Sequence, residues 1–518
     1  MNNQADLNSE IGTVISTLDS PSTTKVNFVC TNKKVHKGSY IQIDYEEGSL
    51  IGLVSDVFKT NRYFENSDSV KEFEDNNVNI LEKFPTSEWE FLQGVIKPLG
   101  ILSKENKFSR STYPVSPGQK VYLADNDVLF KFLHLDKNGL YLGDIDYPCT
   151  EVKLNFNRLL QKHFAILAQS GAGKSYLTSV IIEELLDRSK ELGRVGILLF
   201  DTHGEYTSFA EKNNSINNDY SSKVILIDSK DIVIGASGLG PDFYSSVLPA
   251  MSEAQKRDLN VILEKLNEDK KHGAGAFSIK EIINELSKCE KVKENSSKNL
   301  INLLLSLEQF KLFGKLDNPS INDIIKPGKL TIINLSKEIN KKKKQIVLYH
   351  YVRKLFYERV NNSFKVPPFL LIIEEAHQYA PEKASKEHAL AKNILETIAR
   401  EGRKFGASLC LISQRPVNLS TTILSQANTH IILRVTNPYD LQHIGKSSEG
   451  LDQRSLDMIN SLKVGEALIV GEATGYPVFF KVRARKSLES NLGDDLSNLA
   501  KKYEDNLDLK TKDVDSFM

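Results

Sequence analysis

The stretch AILAQSGAGKSYLTS, Ala165 to Ser179, constrains the fold more than any other part of the chain. An apolar run leads into a glycine-containing turn, and Lys174 and Ser175 then open a helical pattern. A strand, loop and helix in that order gather backbone N–H groups at a helix N-terminus, where a phosphate is stabilised. The window AQSGAGKS departs from G-x-x-x-x-G-K-[ST] at one position, where Ala168 replaces the first glycine. Should that position prefer a left-handed backbone, alanine costs about 1–2 kcal/mol there. Charge-assisted bonds from several N–H groups and Lys174, each worth about 1.5–3 kcal/mol, exceed that cost. The stretch therefore predicts a nucleotide site for ATP and Mg²⁺. Ser170, Gly171, Ala172, Gly173, Lys174, Ser175 and Tyr176 hold the nucleotide, Lys174 reaches the β- and γ-phosphates, and the Ser175 hydroxyl is a metal ligand.

The rest of the chain supplies the setting. Up to about Leu133, KVNFVCT and SYIQIDY alternate apolar and polar residues, and GSLIGLVSDVF is a third strand candidate. Short strands in series predict a small β-barrel or sandwich over 1–133. The acidic stretch SVKEFEDNNVNILEKF is expected to interrupt it as a loop or short helix. Beyond it, near-continuous apolar runs (HFAILA, RVGILLFD, KLTIINLS, PPFLLIIEEAH, GASLCLISQRP, THIILRV) alternate with helical patterns. That alternation predicts an α/β, RecA-like parallel sheet covered on both faces. The motor occupies 134–210 and 330–485, with a closing hairpin at GEALIVGEATGYPVFFKVRA. A helical insertion fills 211–329, where Ser252 with Gln255 and Ser278 with Glu281 are spaced as capping boxes. The segment 486–518 is a polar tail.

Hydrolysis needs carboxylates near the metal and a group to orient water. The apolar run FLLIIEEAH ends in Glu374 and Glu375, at the strand end where such sheets bind ligands. Glu374 is assigned to the Mg²⁺ shell through water and Glu375 to polarising the attacking water; a plain pair of helix-starting acids is the alternative. Asp201, in LLFDTHGEY, either joins the metal shell or caps the next helix. His203 lacks a second ligand at zinc-site spacing. Gln414 ends another strand, where its amide either bonds the γ-phosphate or the water, or is an ordinary strand-end residue. Arg400 and Arg403 precede that strand and are expected some distance from their own phosphates, so any action on ATP is expected across an interface; a solvated or salt-bridged basic turn is the alternative. The run Lys341 to Lys344 reads as a solvated helix start, with DNA contact as the alternative.

Composition narrows the class. Lys plus Arg and Asp plus Glu each number 67, so no net field announces nucleic acid, although a local basic lining suffices to bind it. The 4 cysteines lie far apart with no CxxC, which argues against a disulfide framework or structural zinc and fits a cytoplasmic protein. The polar N-terminus is no signal peptide, and no apolar run is long enough to span a membrane.

SGAGKS, DTHGEY, IIEEAH, AREGRKFGASLCLISQRP, LSQANTHIILRVTNP and GEALIVGEA together resemble the HerA branch of the HerA–FtsK P-loop motors, in that family's order. The resemblance covers about Glu151 to Arg485, and more weakly the N-terminal β segment. Ala168 and Glu374, where many such motors carry Gly and Asp, are departures that remove no chemical group. The resemblance implies a homohexameric, ATP-driven translocase of double-stranded DNA, away from any membrane. It places Lys174, Ser175, Glu374, Glu375 and Gln414 at one subunit's ATP site and makes Arg400 the trans-acting arginine. It implies a partner docked on the N-terminal barrel: a NurA-like nuclease in end resection, or a nuclease or sirtuin-like NADase in antiphage defence. A ring-shaped scaffold that activates an effector with little translocation is the alternative.

Overall fold

The N-terminal alternation of apolar and polar residues closes on itself. In this computed structural model, described for residues 10–31, 35–61, 64, 67–75, 90–105, 107–212, 218–289, 292, 294–383, 389–448, 451, 453–490, 497–498, 500–501 and 503–504, seven strands form the first sheet. They are β1 (Glu10–Ile15), β2 (Val26–Cys30), β3 (Tyr40–Tyr45), β4 (Gly48–Asn61), β5 (Glu90–Ser103), β6 (Phe108–Ser109) and β7 (Lys120–Leu123). Their order is β2-β1-β7-β3-β4-β5-β6, and the further pairing of β2 with β5 closes a barrel. Inward residues such as Ile11, Val26, Phe28, Ile41, Val54 and Ile96 fill it. Closure needs curvature, supplied by bulges in the β4–β5 ladder at Ile51/Gly52 and Val54/Asp56. It also needs room for the Phe28 ring: a Cβ on Gly94 would stand 2.2 Å from it and one on Gly12 2.6 Å. Of the acidic stretch, the described part is a helix, Ser67–Asp75, and residues 76–84 lie outside the described residues.

The chain divides into two compact units, one of residues 1–173 and 428–484, the other of residues 174–427 and 485–518. In the first, three strands follow the barrel: β8 (Leu135–Ile145), β9 (Thr150–Leu154) and β10 (Phe164–Leu167). β10 runs into the glycine loop.

The second unit begins with the helix Lys174–Asp187, apolar enough to be buried on most sides. Its sheet comprises β11 (Gly196–Asp201), β12 (Val224–Asp228), β15 (Leu330–Asn334), β16 (Phe369–Ile373) and β17 (Ala407–Ser413); the two-residue strands β13 (Ile234–Gly235) and β14 (Phe313–Gly314) pair separately. The order β12-β15-β11-β16-β17 is parallel throughout. Every residue of β11, β15, β16 and β17 is buried, as strands covered on both faces require. Between β12 and β15 the helices Pro241–Val247, Glu253–Asp269, Ile279–Lys288 and Glu294–Glu308 form the insertion. Both expected capping boxes are present, Ser252 with Gln255 and Ser278 with Glu281.

The chain returns to the first unit with β18 (Thr429–Ile432), β19 (Glu466–Gly471) and β20 (Val478–Val482). There the order is β10-β18-β19-β20-β8-β9, with β10 and β18 parallel and β19–β20 the closing hairpin. Among the described residues no helix is long and apolar enough to cross a membrane, and Cys30, Cys149, Cys289 and Cys410 are free thiols.

Candidate functional site

In the loop after β10, Gly171 and Gly173 hold φ of 75° and 97°, the left-handed region that glycine enters at little cost. Ala168 is not among the positive-φ residues, so the altered position carries no left-handed strain. Gln169 is anchored in its own unit: its N–H donates to the Arg434 carbonyl at 3.0 Å and its Oε1 accepts from Thr436 at 2.7 Å.

In the second unit, parallel strands deliver acids to one edge. β11 ends at Asp201 and β16 at Ile373, so Glu374 and Glu375 follow directly. Lys174 is 5% exposed, Glu375 3% and Glu374 0%. Lys174 Nζ donates to Glu375 Oε1 at 3.0 Å, and Gln414 Nε2, one residue past β17, donates to the same oxygen at 2.6 Å. The other oxygen of Glu375 lies 3.2 Å from Nδ1 of His377, which is 3.2 Å from Ser413 Oγ. Glu375 itself sits at φ 49° and ψ 44°, a left-handed conformation that costs a residue with a Cβ about 1–2 kcal/mol. The turn that aims this carboxylate inward is held against that cost by its three polar neighbours, Lys174, Gln414 and His377.

Glu374 Oε2 accepts the N–H groups of Thr202 at 2.8 Å and His203 at 3.1 Å. Its Oε1 is buried without a hydrogen-bond partner among the described residues; Nδ1 of the His203 imidazole lies 3.4 Å and the Lys174 ammonium 4.0 Å from it. Ser175 Oγ donates to Glu205, and ligand atoms of His203, Glu205 and Glu374 lie within 4.8 Å of one another. Burial works to raise the Glu374 pKa, but the His203 imidazole and the Lys174 ammonium outweigh it and hold the carboxyl below its ordinary value. Asp201 goes the other way: burial, then the Glu374 charge, push it up to about 7. Glu205 is raised by burial and Glu374, and His203 is raised by the Glu374 carboxylate.

The predicted residues divide accordingly. Lys174, Glu374, Glu375 and Gln414 meet in one cluster, and Ser175 stands on Glu205 at its margin. Asp201 is a turn residue, its carboxylate accepting the N–H groups of Gly204, Glu205 and Tyr206. The Tyr176 hydroxyl accepts the Arg485 N–H at 2.8 Å, so that side chain is committed to the segment after β20. Arg400 and Arg403 lie exposed on the helix Lys392–Phe405; Arg400 is 3.9 Å from Glu396, and no bond joins either arginine to the cluster among the described residues.

Comparison with known proteins fits this geometry. The family model for the central domain of helicase HerA matches residues 140–355. The chain is 28% identical over 481 residues to the DNA double-strand break repair helicase HerA of Sulfurisphaera tokodaii, covering 89% of this chain and 91% of the relative. It is 31% identical over 448 residues to the probable DNA double-strand break repair helicase HerA of Methanocaldococcus jannaschii, covering 75% of this chain and 84% of the relative. The chain belongs to the HerA helicase family. Among solved structures, VirB4 of Thermoanaerobacter pseudethanolicus superimposes with a TM-score of 0.50 at 16% identity, over 67% of this chain and 97% of VirB4, which is a likeness of fold. This HerA-family chain is thus a P-loop ATPase with an N-terminal barrel and a motor sheet of largely parallel strands.

Three groups at the HerA site carried no role in the sequence reading. Glu205 and His203 stand in DTHGEY, yet Glu374, which completes their cluster, lies 171 residues beyond His203 and is brought in only by the pairing of β11 with β16. His377 is two residues past Glu375, and the spacing gives no hint of the left-handed turn that points both inward.

Proposed function

We propose that this HerA-family ATPase hydrolyses ATP at the Lys174–Glu375 cluster to drive movement along double-stranded DNA as one subunit of a hexameric ring. The convergence of Lys174 and Gln414 on one Glu375 oxygen carries the reading, because it joins the phosphate-loop lysine to a base and an amide suited to water. Lys174 exchanges that carboxylate for the β- and γ-phosphate oxygens. Glu375, released, takes a proton from the attacking water, which Gln414 orients by its amide. His377, already against the other Glu375 oxygen, holds the carboxylate in line.

The unpartnered Oε1 of Glu374 fits a cation, and Ser175 and Glu374 are the residues that would hold Mg²⁺. When bound, Mg²⁺ neutralises charge on the phosphate oxygens. Because Arg400 stands exposed and apart from its own cluster, it is assigned to the neighbouring subunit's ATP, a role worth about 10³–10⁵ in rate. The DNA assignment draws on the relatives' names as DNA double-strand break repair helicases. A nuclease or other effector docks on the N-terminal barrel, in end resection or antiphage defence.

The test is ATP turnover by assembled protein with and without duplex DNA. Turnover stimulated by DNA, and abolished in Lys174→Ala, is expected; an unaffected rate in that variant refutes the site. Arg400→Ala mixed with Glu375→Gln should regain part of the activity, since mixed interfaces restore one complete site.

A further inference from the structure

The lysine run that the ATP site does not use lines a hollow. Lys341, Lys342 and Lys344, in the first turn of the helix Lys341–Asn361, line a cavity of about 670 Å³ together with Gln345, Gln378 and Tyr379. Lys343, the fourth of the run, is turned to Glu338 at 2.9 Å. The other three ammonium groups have no ion pair or side-chain hydrogen bond among the described residues. Lys344 is partly buried and feels the charges of Glu338, Glu374 and Asp201, whereas Lys341 and Lys342 stand exposed at the rim, so in a chain of zero net charge the hollow's mouth carries a local positive field.

We infer that this hollow grips the phosphate backbone of duplex DNA, an inference that rests on the DNA-translocation reading above. Duplex DNA carries a charge about every 1.7 Å of its axis, which suits several lysines set within one helical turn. Tyr379, the aromatic residue of the lining, is only 1% exposed, so it offers no face for a base to stack on. The contact is therefore with phosphates and independent of sequence.

The hollow is also wired to the ATP site. Gln345 Nε2 donates to the Gln378 carbonyl at 2.6 Å, in the short helix that begins directly after Glu375. The Tyr379 hydroxyl lies 3.3 Å from Thr202 Oγ1, and the Thr202 N–H donates to Glu374 at 2.8 Å. A phosphate held at the lysines thus bears on the element that positions both acids.

The experiment measures duplex DNA binding by fluorescence anisotropy across a salt series, comparing the wild type, a Lys341→Ala/Lys342→Ala variant and its Lys341→Arg/Lys342→Arg counterpart. Both lysines are exposed, so their truncation spares the core. The alanine pair should bind about tenfold more weakly at low salt. Its salt dependence, the slope of log K on log salt, should be shallower by about 1 per lysine removed, and the arginine pair should restore both. Wild-type affinity and slope in the alanine pair overturn this site while leaving the translocase reading intact. A wild-type protein that binds no duplex at any salt overturns that reading, and this site with it.

Discussion

Two neighbouring strands of the motor sheet, β11 and β16, end in buried acids that are used in opposite ways. Both Asp201 and Glu374 are 0% exposed, and the strands pair in register up to Phe200 and Ile373, so the two acids lie side by side. Asp201 spends its oxygens on three backbone N–H groups of its own turn. Glu374 gives one oxygen to the same turn, while among the described residues the other has no hydrogen bond and faces His203 Nδ1 at 3.4 Å and Lys174 Nζ at 4.0 Å. Desolvating a carboxylate costs several kcal/mol unless it is paired, and here the pairing comes from His203 and Lys174, both groups of the site itself and not of a closed turn. We read the closed acid as structural and the open one, with Glu375 beside it, as chemical.

The sharpest way to break that distinction is to neutralise the acids one at a time. Glu375→Gln keeps the shape but cannot take a proton, and kcat should fall about 10²–10⁴-fold while ATP is still bound. Glu374→Gln should lower kcat and the affinity for Mg²⁺ with little change in melting temperature. Steady-state turnover beside nucleotide and Mg²⁺ titrations checks both, and near-normal turnover in Glu375→Gln would remove it from the chemistry.

Asp201→Asn should behave as the mirror image. Asparagine must turn its amide N–H₂ toward an N–H group, so a turn held by three bonds loses at least one and leaves that N–H facing a donor, at about 1–3 kcal/mol. Melting should drop by several degrees. If instead the variant melts like the wild type and only turnover falls, Asp201 belongs with the chemical acids.

The sequence made the site's parts visible more readily than their division of labour. Fully apolar strands ending in acids are legible because a parallel sheet buried on both faces leaves no other pattern, and β16 with Glu374 and Glu375 follows from it. The barrel was legible from alternation, but its closure through β2 and β5 depends on Phe28 nesting over Gly12 and Gly94, far apart in the chain. Whether Asp201 was a ligand or a cap could not be read, because the answer lies in where three N–H groups point. The Glu374–His203 proximity is likewise a product of strand register, and the left-handed turn at Glu375 has no counterpart in the spacing of the residues.

Glu183 extends the comparison to a third buried acid, outside the cluster. It is 0% exposed in the helix Lys174–Asp187, and its Oε1 accepts the N–H groups of Lys486 and Ser487 at 2.9 and 2.7 Å and the Ser487 hydroxyl at 2.6 Å. Being satisfied, it should act like Asp201. Glu183→Gln is expected to cost about 1–3 kcal/mol, read as a lower denaturation midpoint, with turnover per folded molecule unchanged. A loss of turnover without a loss of stability would show that closure by backbone N–H groups does not mark an acid as structural.

The smallest effect is expected where a satisfied acid is also wet. Glu281 caps the helix Ile279–Lys288: it accepts the Ser278 N–H at 2.9 Å and pairs with Lys315 at 3.0 Å, with 38% of its side chain exposed. The Ser278 hydroxyl first, against the opposing effect of burial, and then Lys315 push its pKa down to about 2 from 4.5. A lowered folded value favours the charged form, so its stabilisation is complete above pH 4.5 and fades as pH falls toward 2. With solvent screening the contribution is at most about 1 kcal/mol. Glu281→Gln should therefore melt slightly below the wild type at neutral pH, and the gap should close through that acid window and narrow with added salt. A gap that persists unchanged at the acid end would mean that the cap works through shape alone, and that satisfaction by charge matters only where water is excluded, as it is at Asp201.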